Sequence, residues 1–442
     1  MDEEETGKMT TLFEHATAVT MDRKTPVIQD AYVAVEGTKI ASVGTEPPEG
    51  TFDRVVDGAG KVLLPGFVNA HTHLPMTLMR GYGGGCDLHT WLNQYIFPAE
   101  ARLDSRAVAA GAGLGLAEMI ASGVTCVADM YMHTGTIAEQ ILEAGISANL
   151  SCGGVYFGAP EDFSPETCGD CRNQAALTEE WHGAGAGQIL VDASVHGEYT
   201  SNPPLWRWMA EYAAEHRLGM HVHVSETQSE HQASLERWGK TPIQALDGCG
   251  VWDCGRSLAA HCVYTTEEDW ALMAEKGISC VHNPWSNLKL GSGVAPIPAM
   301  MRAGVNVALG TDGMSSHNSA DLFSDIKLAA VLHNGVERDP MAVSAWAALE
   351  MATVNGARAL GRDTGVIAPG KTADLILVDL SAPNLIPCHD PVEDLVFSAH
   401  GSNVEMNMAR GQVIYEKGSF LTLDLERVRW EVEHYALPLI FG

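Results

Sequence analysis

The sequence predicts an α/β protein: a (β/α)8 TIM-type barrel over residues 65–365, carrying a small β-sandwich domain formed from both termini, residues 1–64 and 366–442. Three observations predict it. Eight short β-branched or apolar runs follow one another from Phe67 onward, each succeeded by a helix-like or loop segment, as in βα units that close into a parallel barrel. Most of these runs are apolar nearly throughout, as strands covered on both faces must be. The flanks differ, with short Val/Ile strands and Gly turns such as "DAYVAVEGTKIASVG", "KTADLILVDL" and "GQVIYEKGSF" and little helical periodicity.

In chain order the barrel runs are "GFVNAHTH", "TCVADMY", "ISANLSCGGVY", "ILVDASVHG", "GMHVHVSE", "SLAAHCVY", "ISCVHNP" and "VNVALGTDG". Two intervening helices carry clear end signals. "DSRAVAAGAGLGLAEMIASG" starts at a capping Asp104 or Ser105 and stops near Gly123, and "TTEEDWALMAEKG" starts at Thr265 or Thr266 and stops at Gly277. "GAGAGQ" at 183–188 reads as a short loop.

Composition narrows the function. Hydrophobic residues make up 46% and charged residues 19%, which is globular. Asp plus Glu number 56 against 27 Lys plus Arg, a formal net charge of -29, so nucleic acid and anionic membranes are excluded as partners and a small molecule is expected. The opening "MDEEETGKMT" has no basic or apolar leader region, and no run of about 18 apolar residues occurs, so a cytoplasmic protein is expected. Ten cysteines in so long a chain are read as free thiols, and the lone C-x-x-C, Cys168 and Cys171 in "ETCGDCRN", as part of a polar loop.

In a parallel barrel the strands' C-terminal ends ring one mouth. The residues at those ends are His71 and His73 on strand one, His196 on strand four, His223 with Glu226 on strand five, His261 on six, His282 on seven and Asp312 on eight. The strand period of two turns His71 and His73 to one side, where both can hold the same ion. With His223 and Asp312 they make an N3O set with a position open for water, the donor chemistry of a catalytic zinc or ferrous site. Glu226 lies three residues past His223, where a carboxylate can move protons between water and substrate. His221 shares that strand face two residues deeper and is read as barrel interior, with metal ligation as its alternative. No lysine occurs between Lys61 and Lys240, so a carboxylated lysine cannot bridge two metals and one divalent ion is expected, Zn2+ first, with Fe2+ or Mn2+ as alternatives.

Through "PGFVNAHTHLPMTLMRGY", "WLNQYIFPAE", "SGVTCVADMY", "HVHVSET", "HNPWSNLKLGSG", "LGTDG" and "GVIAPGKTADLILVDL", the chain resembles the amidohydrolase superfamily, and within it the adenosine-type deaminases acting on 5'-methylthioadenosine and S-adenosylhomocysteine. The resemblance implies metal ligation by His71, His73, His223 and Asp312, ring-nitrogen protonation by Glu226, and orientation of the attacking water by His261. It also implies ribose binding by Glu100, a nucleoside-facing His196, a supporting His282, hydrolytic release of ammonia, and a homo-oligomer. Trp285 is a candidate for stacking on the base, with packing as its alternative, and His317 reads as a solvated loop residue. One departure bears on substrate choice. Relatives that hold the amino-acid tail of S-adenosylhomocysteine place arginines after strand three, whereas this chain has none from Ala138 to Cys171. That favours 5'-methylthioadenosine, 5'-deoxyadenosine or adenosine. The alternative within the superfamily is a deaminase of a free base or pterin, or a hydrolase of another ring substituent.

Overall fold

The computed structural model describes residues 9–442. The leader-free reading of the opening segment concerns residues 1–10, of which 1–8 lie outside the described residues. All eight expected runs form strands: β1 (Phe67–His73), β2 (Val124–Met130), β3 (Ser147–Ser151), β4 (Ile189–Gly197), β5 (Gly219–Val224), β6 (Ser257–His261), β7 (Ile278–His282) and β8 (Val307–Leu309). Each pairs in parallel with the next. Just past β8 the chain closes the ring, with Asp312 opposite Thr72 and Gly313 opposite His73 of β1. Every residue of β2, β3, β5, β6 and β7 is buried, which accounts for their largely apolar character.

The two helices with clear end signals form where those signals fall. Ser105–Ala121 is capped by Asp104, whose carboxylate accepts the Ala107 N–H at 2.9 Å. Glu267–Lys276 opens on a capping box between Thr266 and Asp269 and ends at Gly277 in the left-handed region, φ 68°.

The termini meet in a second, nine-stranded mixed sheet. Lys61–Pro65 from the N-terminal side runs antiparallel to Leu375–Asp379 from the C-terminal side. Phe13, Val33 and Ile40 share one core with Leu375, Leu377 and Met406, so neither flank buries its apolar face alone.

Two expectations are corrected. The last residues are helical, over Leu425–Glu431 and Leu437–Phe441 with a π turn at Val432–Ala436 between them. Val428, Val432, Ala436 and Ile440 are buried at every fourth position, a stripe obscured in the sequence by the charged and aromatic residues between them. The tail lies on the barrel helix Ser105–Ala121, where Arg106 pairs with Glu431 at 2.9 Å and stacks over Tyr435. The C-x-x-C is not a polar loop: Cys168 immediately precedes the helix Gly169–Trp181 and Cys171 sits in its first turn, both buried. All ten cysteines are free thiols. Among the described residues no helix is long and apolar enough to cross a membrane.

The seam between β1 and β8 is held by a buried side-chain clamp. Asn69 Nδ2 donates to Thr311 Oγ1 at 2.8 Å, and Asn69 Oδ1 accepts the Thr311 N–H at 3.0 Å. Asn69→Ala leaves that N–H buried and unpaired, so it should cost about 1–3 kcal/mol, seen as a lower urea midpoint together with faster loss of metal to a chelator.

Candidate active site

The strand ends deliver three imidazoles and a carboxylate to one point. His73 Nε2 lies 3.3 Å from His223 Nε2 and 3.1 Å from Asp312 Oδ1, and His71 Nε2 lies 3.4 Å from the same oxygen. In each imidazole the other nitrogen is already used. His73 Nδ1 meets the Met130 carbonyl at 2.5 Å, His223 Nδ1 the His196 carbonyl at 2.7 Å, and His71 Nδ1 the His221 Nε2 at 2.8 Å. The two carbonyls accept, so His73 and His223 each carry a proton on Nδ1 and aim Nε2, the atom open to an ion, inward. Asp312 is held from behind: Ser286 Oγ and Ser316 Oγ donate to its Oδ2 at 2.6 and 2.8 Å, which turns Oδ1 toward the histidines.

This cluster fits a divalent cation. His71 Nε2 is buried without a hydrogen-bond partner, an expensive state unless an ion satisfies it. Tetrahedral zinc with bonds of about 2.0–2.1 Å requires ligand atoms about 3.3–3.4 Å apart, and the three measured separations are 3.1, 3.3 and 3.4 Å. Electrostatics agree. Burial opposes ionisation of Asp312, but the close approach of His71 and His73 outweighs that and holds the carboxyl well below its usual range. Burial keeps His71 and His223 well below the usual imidazole range, hence neutral. Burial acts on His73 too, yet the Asp312 hydrogen bond and charge prevail and hold it up at about 9, so a proton and a metal ion compete for its Nε2.

A cavity of about 430 Å³ opens beside the cluster, lined by His73, His223, Asp312, Glu226, His261, His196 and Glu100. Apolar walls come from Met76, Leu88, Trp91, Met130, Val155 and Phe157 among others. Burial raises the Glu226 carboxyl; its Oε1 accepts from Ser292 Oγ at 3.3 Å, and His261 Nε2 lies 3.8 Å from Oε2. His261 Nδ1 pairs with Asn287 Oδ1 at 2.8 Å, which leaves Nε2 to face the cavity. Glu100 ends the short helix Phe97–Glu100 and accepts from Tyr131 Oη at 2.6 Å. His196 Nδ1 meets Thr200 Oγ1 at 3.1 Å, and burial brings the imidazole down to about 4.

Three residues lie elsewhere than the sequence suggested. His282 does not line the cavity; its Nε2 faces His333 of the outer helix Leu322–Glu337 at 3.1 Å. Trp285 is 41% exposed outside the cavity, with its ring 5.7 Å from His317. His317 itself is buried and bound to Asp325 at 2.8 Å rather than solvated. His221 is interior, as expected, and supports His71. Sequence reasoning passed over Ser286, Ser316, Asn287 and Glu230. Only Glu230, an acid four residues past Glu226, carried a usable signal.

Residues 62–414 match the Amidohydrolase family. The chain belongs to the amidohydrolase family. A 5-methylthioadenosine/S-adenosylhomocysteine deaminase from Caldanaerobacter subterraneus subsp. tengcongensis is 41% identical over 418 residues, covering 94% of this chain and 95% of the relative. A 5'-deoxyadenosine deaminase from Methanosarcina mazei is 38% identical over 429 residues, covering 97% and 98%. Among solved structures, an adenosine deaminase from Xanthomonas campestris with bound zinc superposes with a TM-score of 0.90 at 32% identity, over 98% of each chain.

Within the metal cluster, His221→Phe removes the partner that orients His71 while keeping an aromatic ring in the barrel. Zinc affinity, measured by competition with a chelator, should fall about 10–100-fold with the fold retained.

Proposed function

We propose that this amidohydrolase is a metal-dependent deaminase of adenine nucleosides that takes 5'-methylthioadenosine, 5'-deoxyadenosine or adenosine and releases ammonia and the inosine analogue. The observation that carries the reading is the meeting, in one largely apolar cavity, of the three-histidine, one-aspartate cluster, the buried acid Glu226 and the Tyr131-bound Glu100. The relatives named above support it.

His71, His73, His223 and Asp312 would hold the ion, with zinc favoured by the nitrogen-rich set. When bound, such an ion supplies Lewis acidity that brings the pKa of water near neutrality. The remaining work falls to the side chains. Glu226, with its carboxyl raised by burial, delivers a proton to the ring nitrogen next to the amine-bearing carbon. His261 presents Nε2 to the attacking water. Asp312 accepts one proton of that water and returns it to the departing amine, and as the ring carbonyl forms the water's second proton restores Glu226, so one water enters and one ammonia leaves for each nucleoside. Glu100 accepts the ribose hydroxyls and thereby sets the purine's orientation.

The cavity also argues for the 5' substituent. Its described lining includes the acids Glu100, Asp170, Glu226 and Asp312 but no lysine or arginine, so a carboxylate tail would enter unpaired and be repelled. An apolar methylthio or methyl group meets no such cost.

Three measurements test the reading. Glu226→Gln should lower kcat by about 10²–10⁴-fold with metal content unchanged. For 5'-methylthioadenosine and 5'-deoxyadenosine, kcat/KM should exceed that for S-adenosylhomocysteine by about tenfold or more, about 1.4 kcal/mol; S-adenosylhomocysteine as the best substrate would overturn the 5' assignment. Glu100→Gln should raise KM for nucleosides without affecting hydrolysis of a free base, and equal losses on both would remove the ribose role.

A further inference from the structure

An extended strand turns alternate residues to opposite faces, so if β5 simply continued, Glu226 would point away from the side that His223 occupies. It does not, because Ser225 adopts the left-handed region at φ 49°, a conformation that costs a non-glycine residue of order 1 kcal/mol. This turn brings Glu226 into the same cavity as His223.

Something must hold the strained turn, and one side chain does so with both of its oxygens. Glu230 Oε1 accepts the Ser225 N–H at 2.8 Å and Oε2 accepts the Glu226 N–H at 2.7 Å. Glu230 is buried, burial pushes its carboxyl up to about 8, and the two backbone N–H groups are what offset the loss of water around it. Glu230 stands at the third helical position behind the capping Thr227, where a capping-box acid would reach back only to the cap's own N–H, and here the carboxyl reaches beyond the cap to the Ser225 and Glu226 N–H groups. The helix Gln228–Trp238 already has its cap in Thr227, whose Oγ1 accepts the Glu230 N–H at 3.2 Å. The carboxylate is spent on the turn.

We infer that Glu230 is a positioning residue for catalysis, which pins the Ser225–Glu226 turn by its two backbone hydrogen bonds and so fixes the Glu226 carboxyl over the reacting ring. The inference rests on Glu226 being the proton donor. It extends that reading to a residue that touches no substrate.

The test is a double-mutant cycle on the full-length, metal-loaded enzyme with 5'-methylthioadenosine. In Glu230→Gln an amide N–H faces one of the two backbone donors, so the pair of hydrogen bonds cannot form. Its kcat should fall about 10–100-fold, while KM stays within about threefold and metal content is unchanged. Residues that act as one unit are non-additive, so adding Glu230→Gln to Glu226→Gln should lower the residual kcat little further. If Glu230→Gln keeps wild-type kcat, or lowers the rate by the same factor with and without the Glu226 carboxyl, the positioning role is overturned while the assignment of Glu226 stands. If Glu226→Gln itself remains fully active, the proton-donor reading fails instead. Should Glu230→Gln not be recovered folded, Glu230→Asp keeps the charge one methylene short of the turn and is read by the same criteria.

Discussion

A parallel barrel must pair its last strand with its first, and here that closure falls on Asp312–Thr72 and Gly313–His73. The other site features depend on this seam. It places a buried carboxylate 3.1 Å from His73 Nε2, and Asn69 and Thr311 lock the register one step deeper. Backbone pairing, not side-chain flexibility, therefore sets the distance between His73 and Asp312. Fold stability and metal affinity are coupled through the same few hydrogen bonds.

Around that seam, geometry is fixed by hydrogen bonds to the side-chain atoms that face away from the cavity. Each ligand imidazole spends its Nδ1 on a different partner, so its ring cannot rotate without stranding a buried group. Two serine hydroxyls from separate loops hold the far oxygen of Asp312. Strain gathers here as well. Ser225, His261 and Asp312 are non-glycine residues at positive φ, all at strand ends that re-aim a side chain into the cavity. Such conformations survive because the buried strands behind them cannot relax.

Much of this was legible in the sequence, for identifiable reasons. His71, His73, His223 and Asp312 could be grouped because a period of two and a parallel topology bring all strand ends to one mouth. The caps at Asp104 and Thr266 could be read because capping is local chemistry between residues three apart. His282, Trp285 and His317 resisted that logic. A strand-end position says that a residue is near the mouth, but the packing of the outer helices decided that His282 turns to His333 and that His317 is buried against Asp325. The helical tail was missed for a related reason: its apolar stripe has meaning only against the barrel helix it covers.

The sequence by itself determined the barrel and which histidines and carboxylates gather at its mouth, because both follow from residue type, short-range periodicity and parallel order. Only the tertiary structure decided which nitrogen of each histidine faces the ion, which serines hold Asp312, and how Glu226 comes to share a cavity with His223. Those choices depend on hydrogen bonds between segments as much as 150 residues apart, and on one left-handed residue whose conformation no local pattern announces.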